Sequence, residues 1–330
     1  MPRKDTSSAP NVTAADAEYM RRALQLARCG RLTAAPNPMV GAVVVADGRI
    51  IGEGYHIRPG EGHAEVNALA SVSEADRALL PRSTMYVSLE PCAHYGRTPP
   101  CAELLVRSRI RRVVVGCIDP FAKVSGRGVA ILREAGIDVT VGVLEDECLR
   151  LNRRFITFHS KRRPYILLKW ARSADGFIDR ERTGGTAARL STPATQAEVH
   201  RLRSETEAIL VGRRTWQLDS PRLDVRRWFG RAPLRCVLGR STDIALPDDV
   251  LRADTIDSLL RELHARGVQS LLVEGGRHTL QSFIDLGLWD EAREEVAALR
   301  LGSGVPAPRM PRPADREETV WGVTVRQWEQ

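Results

Sequence analysis

Lysine is nearly missing from this chain. Of 49 basic residues in 330, only Lys4, Lys123, Lys161 and Lys169 are lysines, and asparagine is as scarce, with four. A net charge of +8 would suit a nucleic-acid partner. The arginines, however, are scattered and rarely interleaved with the few aromatic residues, so no phosphate-tracking face emerges. The bias towards arginine fits a GC-rich coding background, and nucleic acid is not the expected partner. Apolar runs long enough for a membrane helix are missing too. The opening stretch, MPRKDTSSAPNVTAADAEY, has no apolar core of the kind an export signal needs. It reads as a disordered tail over residues 1–15. Six irregularly spaced cysteines do not make a disulfide framework. A reducing, cytoplasmic location follows as the expectation. Cys29, Cys117, Cys148 and Cys236 read as small apolar side chains.

What the chain does have is alternation. Its length predicts two domains. Residues 16–31 have helical spacing with Asp16 as N-cap. Ala42–Ala46 reads as a buried strand, followed by an Asp47-Gly48 hairpin turn and a second strand. HAEVNALASV is helical, and TMYVSLE is a strand that runs into Pro91-Cys92. Helix, strand, helix and strand follow through AELLVRSRI, RRVVVGC, GVAILREAG and IDVTVGV. Residues 145–163 read as one charged helix and a basic link, and Pro164 opens the strand YILLKWARS. The boundary therefore falls near 160, giving domains 16–160 and 161–330. The second repeats the alternation: a helix at 193–205, strands EAILVG and PLRCVLG, a helix at 256–266, the strand VQSLLVE, Gly275-Gly276 and another helix. Such alternation predicts an α/β layered fold in both halves.

The chemistry sits in GHAEVNAL and LEPCAHYGRTPPC. His63, Cys92 and Cys101 offer one imidazole and two thiolates. Zn²⁺ accepts both donor types, and three protein ligands leave a fourth position for water, as catalytic zinc requires. Each residue is expected at an element end: His63 opening a helix, Cys92 after a strand, Cys101 opening a helix behind Pro99-Pro100. A helix N-terminus favours a thiolate. Glu65, two residues after His63, can share the helix tip and shuttle protons between the attacking water and a leaving amine. H-x-E followed by P-C-x-x-C is the signature of zinc deaminases, with the glutamate as proton shuttle. Here the second part is P-C-x8-C, and its longer loop holds His94, Tyr95, Gly96, Arg97 and Thr98. Basic and hydrogen-bonding groups held over a metal suit a phosphorylated substrate.

PNPMVGAVVV, GEGYH, GHAEVNAL, LEPCAHYGRTPPC, the Asp-Pro pair at 119–120 and GRGVAILREAGI resemble the deaminase half of the bifunctional riboflavin-biosynthesis deaminase–reductases. Residues 16–155 carry this likeness most strongly. PYILLKWARSADGFI, EAILVGRRTWQLDSPRLDVR, LLVEGG, SFIDLGLWDEA and LGSGVPAP resemble the reductase half in order and spacing. The resemblance implies an N-terminal cytidine-deaminase-like three-layer α/β/α domain and a C-terminal dihydrofolate-reductase-like α/β domain. It implies Zn²⁺ and NADPH as cofactors and a phosphorylated pyrimidine as substrate. A diaminopyrimidinone ribosylamine phosphate would lose ammonia by hydrolysis, and NADPH would then reduce its ribosyl chain to ribityl. His63, Cys92 and Cys101 would hold metal, with Glu65 as shuttle and Asn37, His56, His94 and Arg97 on the substrate. In the second half Lys169 and Glu274 would be catalytic. Arg172, Thr215, Asp219, Gly275 and Gly276 would bind cofactor, while Arg203, Leu223 and Arg226 would meet substrate. Gly275-Gly276 would let a cofactor phosphate approach backbone N–H groups.

Three departures fall near the cofactor side. VLG ends in Gly239 where an aspartate is expected, residues 240–257 are short enough to lack a strand, and TGGTAARLS lacks an expected serine and aromatic. They raise a rival reading, a deaminase whose second domain no longer reduces anything, which NADPH binding would discriminate. A nucleic-acid-editing deaminase would show steep salt dependence. A non-catalytic zinc protein would be indifferent to Glu65→Gln. A homo-oligomer is compatible with all of them.

Overall fold

The computed structural model describes residues 12–95, 99–119, 125–240 and 246–330. They fall into two compact units divided between Ser160 and Lys161.

The first unit is built on five strands: β1 (Gly41–Ala46), β2 (Arg49–Tyr55), β3 (Thr84–Leu89), β4 (Arg112–Cys117) and β5 (Asp138–Val141). Their order is β2-β1-β3-β4-β5. β1 is antiparallel to β2 and β3, whereas β3, β4 and β5 run parallel. Helices α1 (Ala14–Arg28), α2 (Ala64–Ala70), α3 (Cys101–Arg107), α4 (Arg127–Glu134) and α5 (Glu145–Leu151) cover the sheet. β1 reads GAVVVA because both its faces are buried. Val44 packs with Ala64, Ala68, Leu105 and Leu132 of α2, α3 and α4, while Val43 packs with Met20, Leu24 and Cys148 of α1 and α5. The result is the expected three-layer α/β/α arrangement.

Two local expectations change. Helix α1 starts earlier, because Thr13 is its N-cap and Asp16 closes a capping box at the third position. Asp16 also turns inward, accepting from Tyr86 Oη (2.9 Å) and Arg112 Nη1 (2.7 Å). The one charged helix expected ahead of a basic link within 145–163 is two, α5 and α6 (Arg153–Lys161), broken at Asn152. The Asn152 amide bonds both backbone groups of Met39, at 2.8 and 2.9 Å, and thereby anchors the turn before β1.

The second unit holds β6 (Tyr165–Arg172), β7 (Phe177–Asp179), α7 (Pro193–Ser204), β8 (Ala208–Gly212), α8 (Arg213–Asp219), β9 (Leu234–Leu238), β10 (Val250–Ala253), α9 (Ile256–Ala265), β11 (Ser270–Gly275), α10 (Arg277–Asp285), β12 (Glu291–Val296), β13 (Val305–Pro306), β14 (Arg316–Val320) and β15 (Val323–Glu329). Eight strands form one sheet in the order β10-β9-β8-β11-β6-β12-β15-β14, and β13 pairs with β7. Leu259, Leu263, Leu280 and Phe283 of α9 and α10 fill one face, and Leu202 and Trp216 of α7 and α8 pack on the other. The interval expected to lack a strand contains β10, which lies parallel to β9 at the sheet edge. β12 departs furthest from its sequence pattern. EAREEV looks like a surface segment, yet Arg293, Glu294 and Glu295 are buried in it. Glu294 accepts from Trp170 Nε1 (2.9 Å) and Arg172 Nε (2.8 Å), so its charge enters the sheet already paired.

Candidate active site

In the first unit the ends of three elements meet. His63 is the N-cap of α2 in extended backbone and makes no side-chain cap, which leaves its ring free. Cys92 follows β3 across Pro91, and Cys101 is the first residue of α3. Ligand atoms of the three side chains all lie within 4.8 Å of one another. The His63 Nδ1 stands 3.5 Å from the Cys92 sulfur and 3.4 Å from the Cys101 sulfur. A tetrahedral zinc with ordinary Zn–N and Zn–S lengths requires an N···S edge of ~3.6 Å, so the donor set fits that ion. The Cys101 N–H donates to the Cys92 sulfur (3.3 Å), and the Ala102 N–H donates to the Cys92 carbonyl (3.2 Å). The start of α3 thus fixes Cys92 from one side.

Charge is unevenly shared. The Cys101 thiol beside it and the His63 ring pull the Cys92 thiol down to about 4, against the cost of burial. Cys101 shifts upward, because Cys92 is its partner and burial adds to the effect. His63 is raised by its bond to Cys92. Glu65, 3% exposed, is pushed up to about 7 by burial and by the neighbouring Cys92 charge. A carboxyl poised there can both take and give a proton near neutrality.

Asn37 and His56 stand beside this cluster. The Asn37 amide lies 3.0 Å from His56 Nε2, and His56 Nδ1 lies 3.2 Å from the Gly62 carbonyl. Those contacts fit a neutral imidazole that donates through Nδ1, and burial lowers the His56 pKa. The His56 and His63 rings meet edge to face at 5.5 Å. Asn67 escaped the sequence reading. Its amide donates to the carbonyls of Tyr55 (2.8 Å) and Gly62 (3.1 Å), joining β2 to the turn before His63. Its helical spacing in α2 gave no sign of that. His94 is exposed on the ligand loop, and Arg97 lies outside the described residues.

A cavity of about 1090 Å³ opens in the second unit at the C-terminal ends of the parallel strands. Such a position is the usual ligand crevice of α/β sheets. Lys169, Thr215, Asp219, Glu274, Gly275 and Gly276 line it. Gly276 is the N-cap of α10, and its N–H donates to Thr215 Oγ1 (2.9 Å). Gly275 has φ +139, and a Cβ there would meet nothing within 4 Å. The free helix end and this open cradle fit a cofactor phosphate.

Other expected residues are placed elsewhere. Arg172 is held by Glu294 and does not line the cavity. Arg203 grips Glu274 through two bonds of 2.8 and 2.6 Å, and its third donation goes to the Asp224 carbonyl (3.1 Å). Burial opposes the Glu274 charge, but Arg203 holds its carboxyl below the usual range. Leu223 is buried, and Arg226 pairs with Asp224. Neither lines the cavity. Asp219 does, with its carboxylate on Arg182, a cavity residue the sequence did not single out. The departures also have physical counterparts. A Cβ at Gly239 would stand 2.9 Å from the Arg213 Cβ, in a φ region that favours glycine, so Arg213 occupies the space an aspartate would need. Ala187, Ala188, Leu190 and Ser191 line the cavity along this stretch, so a serine does reach it and only the expected aromatic is missing.

Comparison with known proteins bears on both units. Residues 13–117 match the family model of the cytidine and deoxycytidylate deaminase zinc-binding region, and residues 164–319 match the RibD C-terminal domain. The riboflavin biosynthesis protein RibD of Aquifex aeolicus is 37% identical over 322 residues, covering 88% of this chain and 89% of that protein. The Escherichia coli RibD is 44% identical over 211 residues, 64% of this chain and 56% of that one. A crystal structure from Thermotoga maritima, of a diaminohydroxyphosphoribosylaminopyrimidine deaminase/5-amino-6-(5-phosphoribosylamino)uracil reductase, superposes with a TM-score of 0.85 at 34% identity. It covers 96% of this chain and 98% of its own. Acinetobacter baumannii RibD superposes with a TM-score of 0.82 at 31% identity, covering 95% and 98%.

Proposed function

The chain belongs to the RibD family of riboflavin-biosynthesis deaminase/reductases, and on that premise we propose which of its residues do the work. As in the family, it deaminates a diaminopyrimidinone ribosylamine phosphate with zinc and then reduces the ribosyl chain with NADPH. The cavity lined by Lys169, Glu274 and the start of α10 favours this reading over a second half that has lost reduction, and NADPH binding discriminates the two.

His63, Cys92 and Cys101 hold the zinc, and the observation that carries this is their convergence within 4.8 Å. When bound there, zinc supplies a Lewis acid that makes water a nucleophile near neutral pH. Glu65 accepts the proton of the attacking water and passes it to the departing amine, which leaves as ammonia. Its buried position keeps the carboxyl from staying permanently ionised. Asn37 and the neutral His56 stand beside the same cluster and orient the pyrimidine. His94 and Arg97 belong to the loop between the two cysteines and suit the substrate phosphate.

In the second unit NADPH lies in the cavity with a phosphate at the start of α10, met by Gly275, Gly276 and Thr215. Lys169 within β6 and Glu274 near the end of β11 line this cavity and face the ribosyl carbon that receives hydride. Arg203 holds Glu274 in place through its two-pronged bond. The chain divides at residue 160 into deaminase and reductase, which the two compact units support. Its six cysteines are free, which suits the reducing cytoplasm. No helix among the described residues is long and apolar enough to cross a membrane.

The assignment makes a two-part prediction. The parent protein takes up one zinc per chain, and Cys92→Ser lowers that uptake while NADPH oxidation of the deaminated intermediate continues. Lys169→Met slows NADPH oxidation at least tenfold while ammonia release continues at the parent rate. Unchanged zinc in the first variant, or unchanged oxidation in the second, contradicts the corresponding site.

A further inference from the structure

We propose that Glu90 is a positioning residue for the zinc site, joining the ends of β3, β4 and α4 so that Cys92 stays in register with His63 and Cys101. It rests on those three residues being the zinc ligands.

Glu90 is 4% exposed and immediately follows β3, two residues before Cys92. Four backbone amides converge on its carboxylate. Oε2 accepts from Asp119 (3.3 Å) and Gly126 (2.9 Å), and Oε1 accepts from Gly128 (2.8 Å) and Val129 (3.2 Å). Asp119 follows β4, Gly126 is the N-cap of α4, and Gly128 and Val129 lie in its first turn. Buried carboxylates without such donors are costly, and a helix start offers free N–H groups and a favourable dipole. The main chain of Glu90 is also tied, its N–H donating to the Cys117 carbonyl at 3.0 Å.

The packing around the next peptide is equally close. A Cβ on Gly128 would fall 2.0 Å from the Pro91 carbonyl oxygen, so α4 rests directly on Pro91. The first turn of α3, beside α4, donates to the Cys92 carbonyl and sulfur. Pro91-Cys92 is therefore gripped between two helix starts, and Glu90 is the side chain that holds the α4 grip. Glu65 performs the chemistry at this site; Glu90 does not face the ligand atoms and acts through Cys92.

The test is zinc affinity, measured by competition with a chromophoric chelator on the full chain. Glu90→Gln keeps the size but points an NH₂ group at amide donors. It is expected to weaken zinc binding by about 10–100-fold, the usual effect of losing an outer partner of a ligand. With cobalt(II) in place of zinc, the thiolate charge-transfer band should shift or weaken, a signal that a purely structural residue elsewhere would not move. Far-UV circular dichroism of the full chain serves as the fold control for the first unit and should match the parent, while NADPH oxidation of the deaminated intermediate, which reads the second unit, should stay at the parent rate. Affinity within twofold of the parent with an unchanged cobalt spectrum overturns the proposal. If Glu90→Gln does not accumulate as folded protein, Glu90→Asp takes its place with the same two outcomes. Failure of both to fold would make Glu90 a residue of the fold alone and also overturn it. Cys92→Ser in the same titration separates the failures: unchanged zinc there refutes the ligand assignment itself.

Discussion

Single side chains in this protein are set by their neighbours more than by their type. Two glutamates show it. Glu65 sits among buried groups and a neighbouring thiolate and is raised to about 7, whereas Glu274, largely but less completely enclosed, is held low by Arg203. The first can exchange protons near neutrality; the second stays an anion beside Lys169. Asp16 is a third case, with a structural role. Burial opposes its charge, but Arg112, Thr13 and Tyr86 hold its carboxyl well below the carboxylate range. An acid whose native pKa lies below its unfolded value stabilises the fold in full above about pH 5. That contribution is lost as the pH falls towards the depressed native value. Asp16→Asn should therefore destabilise the first unit by about 3 kcal/mol at neutral pH, the scale of breaking a buried pair. The loss should shrink progressively in acid, as the parent gives up the same contribution between the unfolded and the depressed native value. Thermal melts at pH 7 and about pH 2.5 check both statements; a loss that is equal at the two would contradict them.

At the scale of elements, helix α2 carries His63 and Glu65 and is placed by strand β2. A Cβ at Gly54 would stand 2.3 Å from the Ala68 nitrogen and 2.8 Å from the Ala64 oxygen, both α2 backbone. Gly54→Ala must push the helix outward. It should cost about 1–3 kcal/mol, as overpacking does, and weaken zinc binding with it. Gly48→Ala in the β1–β2 turn meets nothing within 4 Å, and its cost comes only from φ +73. That variant should bind zinc like the parent. Calorimetry with zinc competition on both variants checks the contrast, and equal zinc affinity in Gly54→Ala would contradict it.

Elements also show where sequence reading succeeds. The convergence of His63, Cys92 and Cys101 was legible because each sits at an element end marked by local chemistry: a strand running into Pro91, a Pro-Pro pair before Cys101, and a helical pattern after His63. The hairpin turn and the Gly275-Gly276 cradle were legible for the same reason. What stayed hidden depends on distant partners. EAREEV reads as surface until Trp170 and Arg172 supply donors to Glu294. The charged helix expected ahead of the basic link in 145–163 breaks where Asn152 reaches across to Met39. Arg172 and Arg203 looked available for ligands, since nothing in the sequence shows that Glu294 and Glu274 claim them.

Across the whole molecule, two units divided at Ser160 each hold a site at the ends of their parallel strands. The first site has one imidazole, two sulfurs and a poised carboxyl; the second has a large cavity with a lysine, a held glutamate and a helix start. In the proposed function ammonia loss at the first site comes before reduction at the second. The most direct measurement is a coupled assay on zinc-loaded Glu65→Gln beside the parent, following ammonia and NADPH in one sample. With the diaminopyrimidinone ribosylamine phosphate, the parent should release ammonia first and oxidise NADPH with a lag. The variant should retain its zinc, release ammonia at least 100-fold more slowly and leave NADPH untouched, in line with the loss of a proton shuttle. Supplied with the deaminated intermediate, the variant should oxidise NADPH at the parent rate. Ammonia release at the parent rate by the zinc-loaded variant, or its failure to use the deaminated intermediate, would contradict the account.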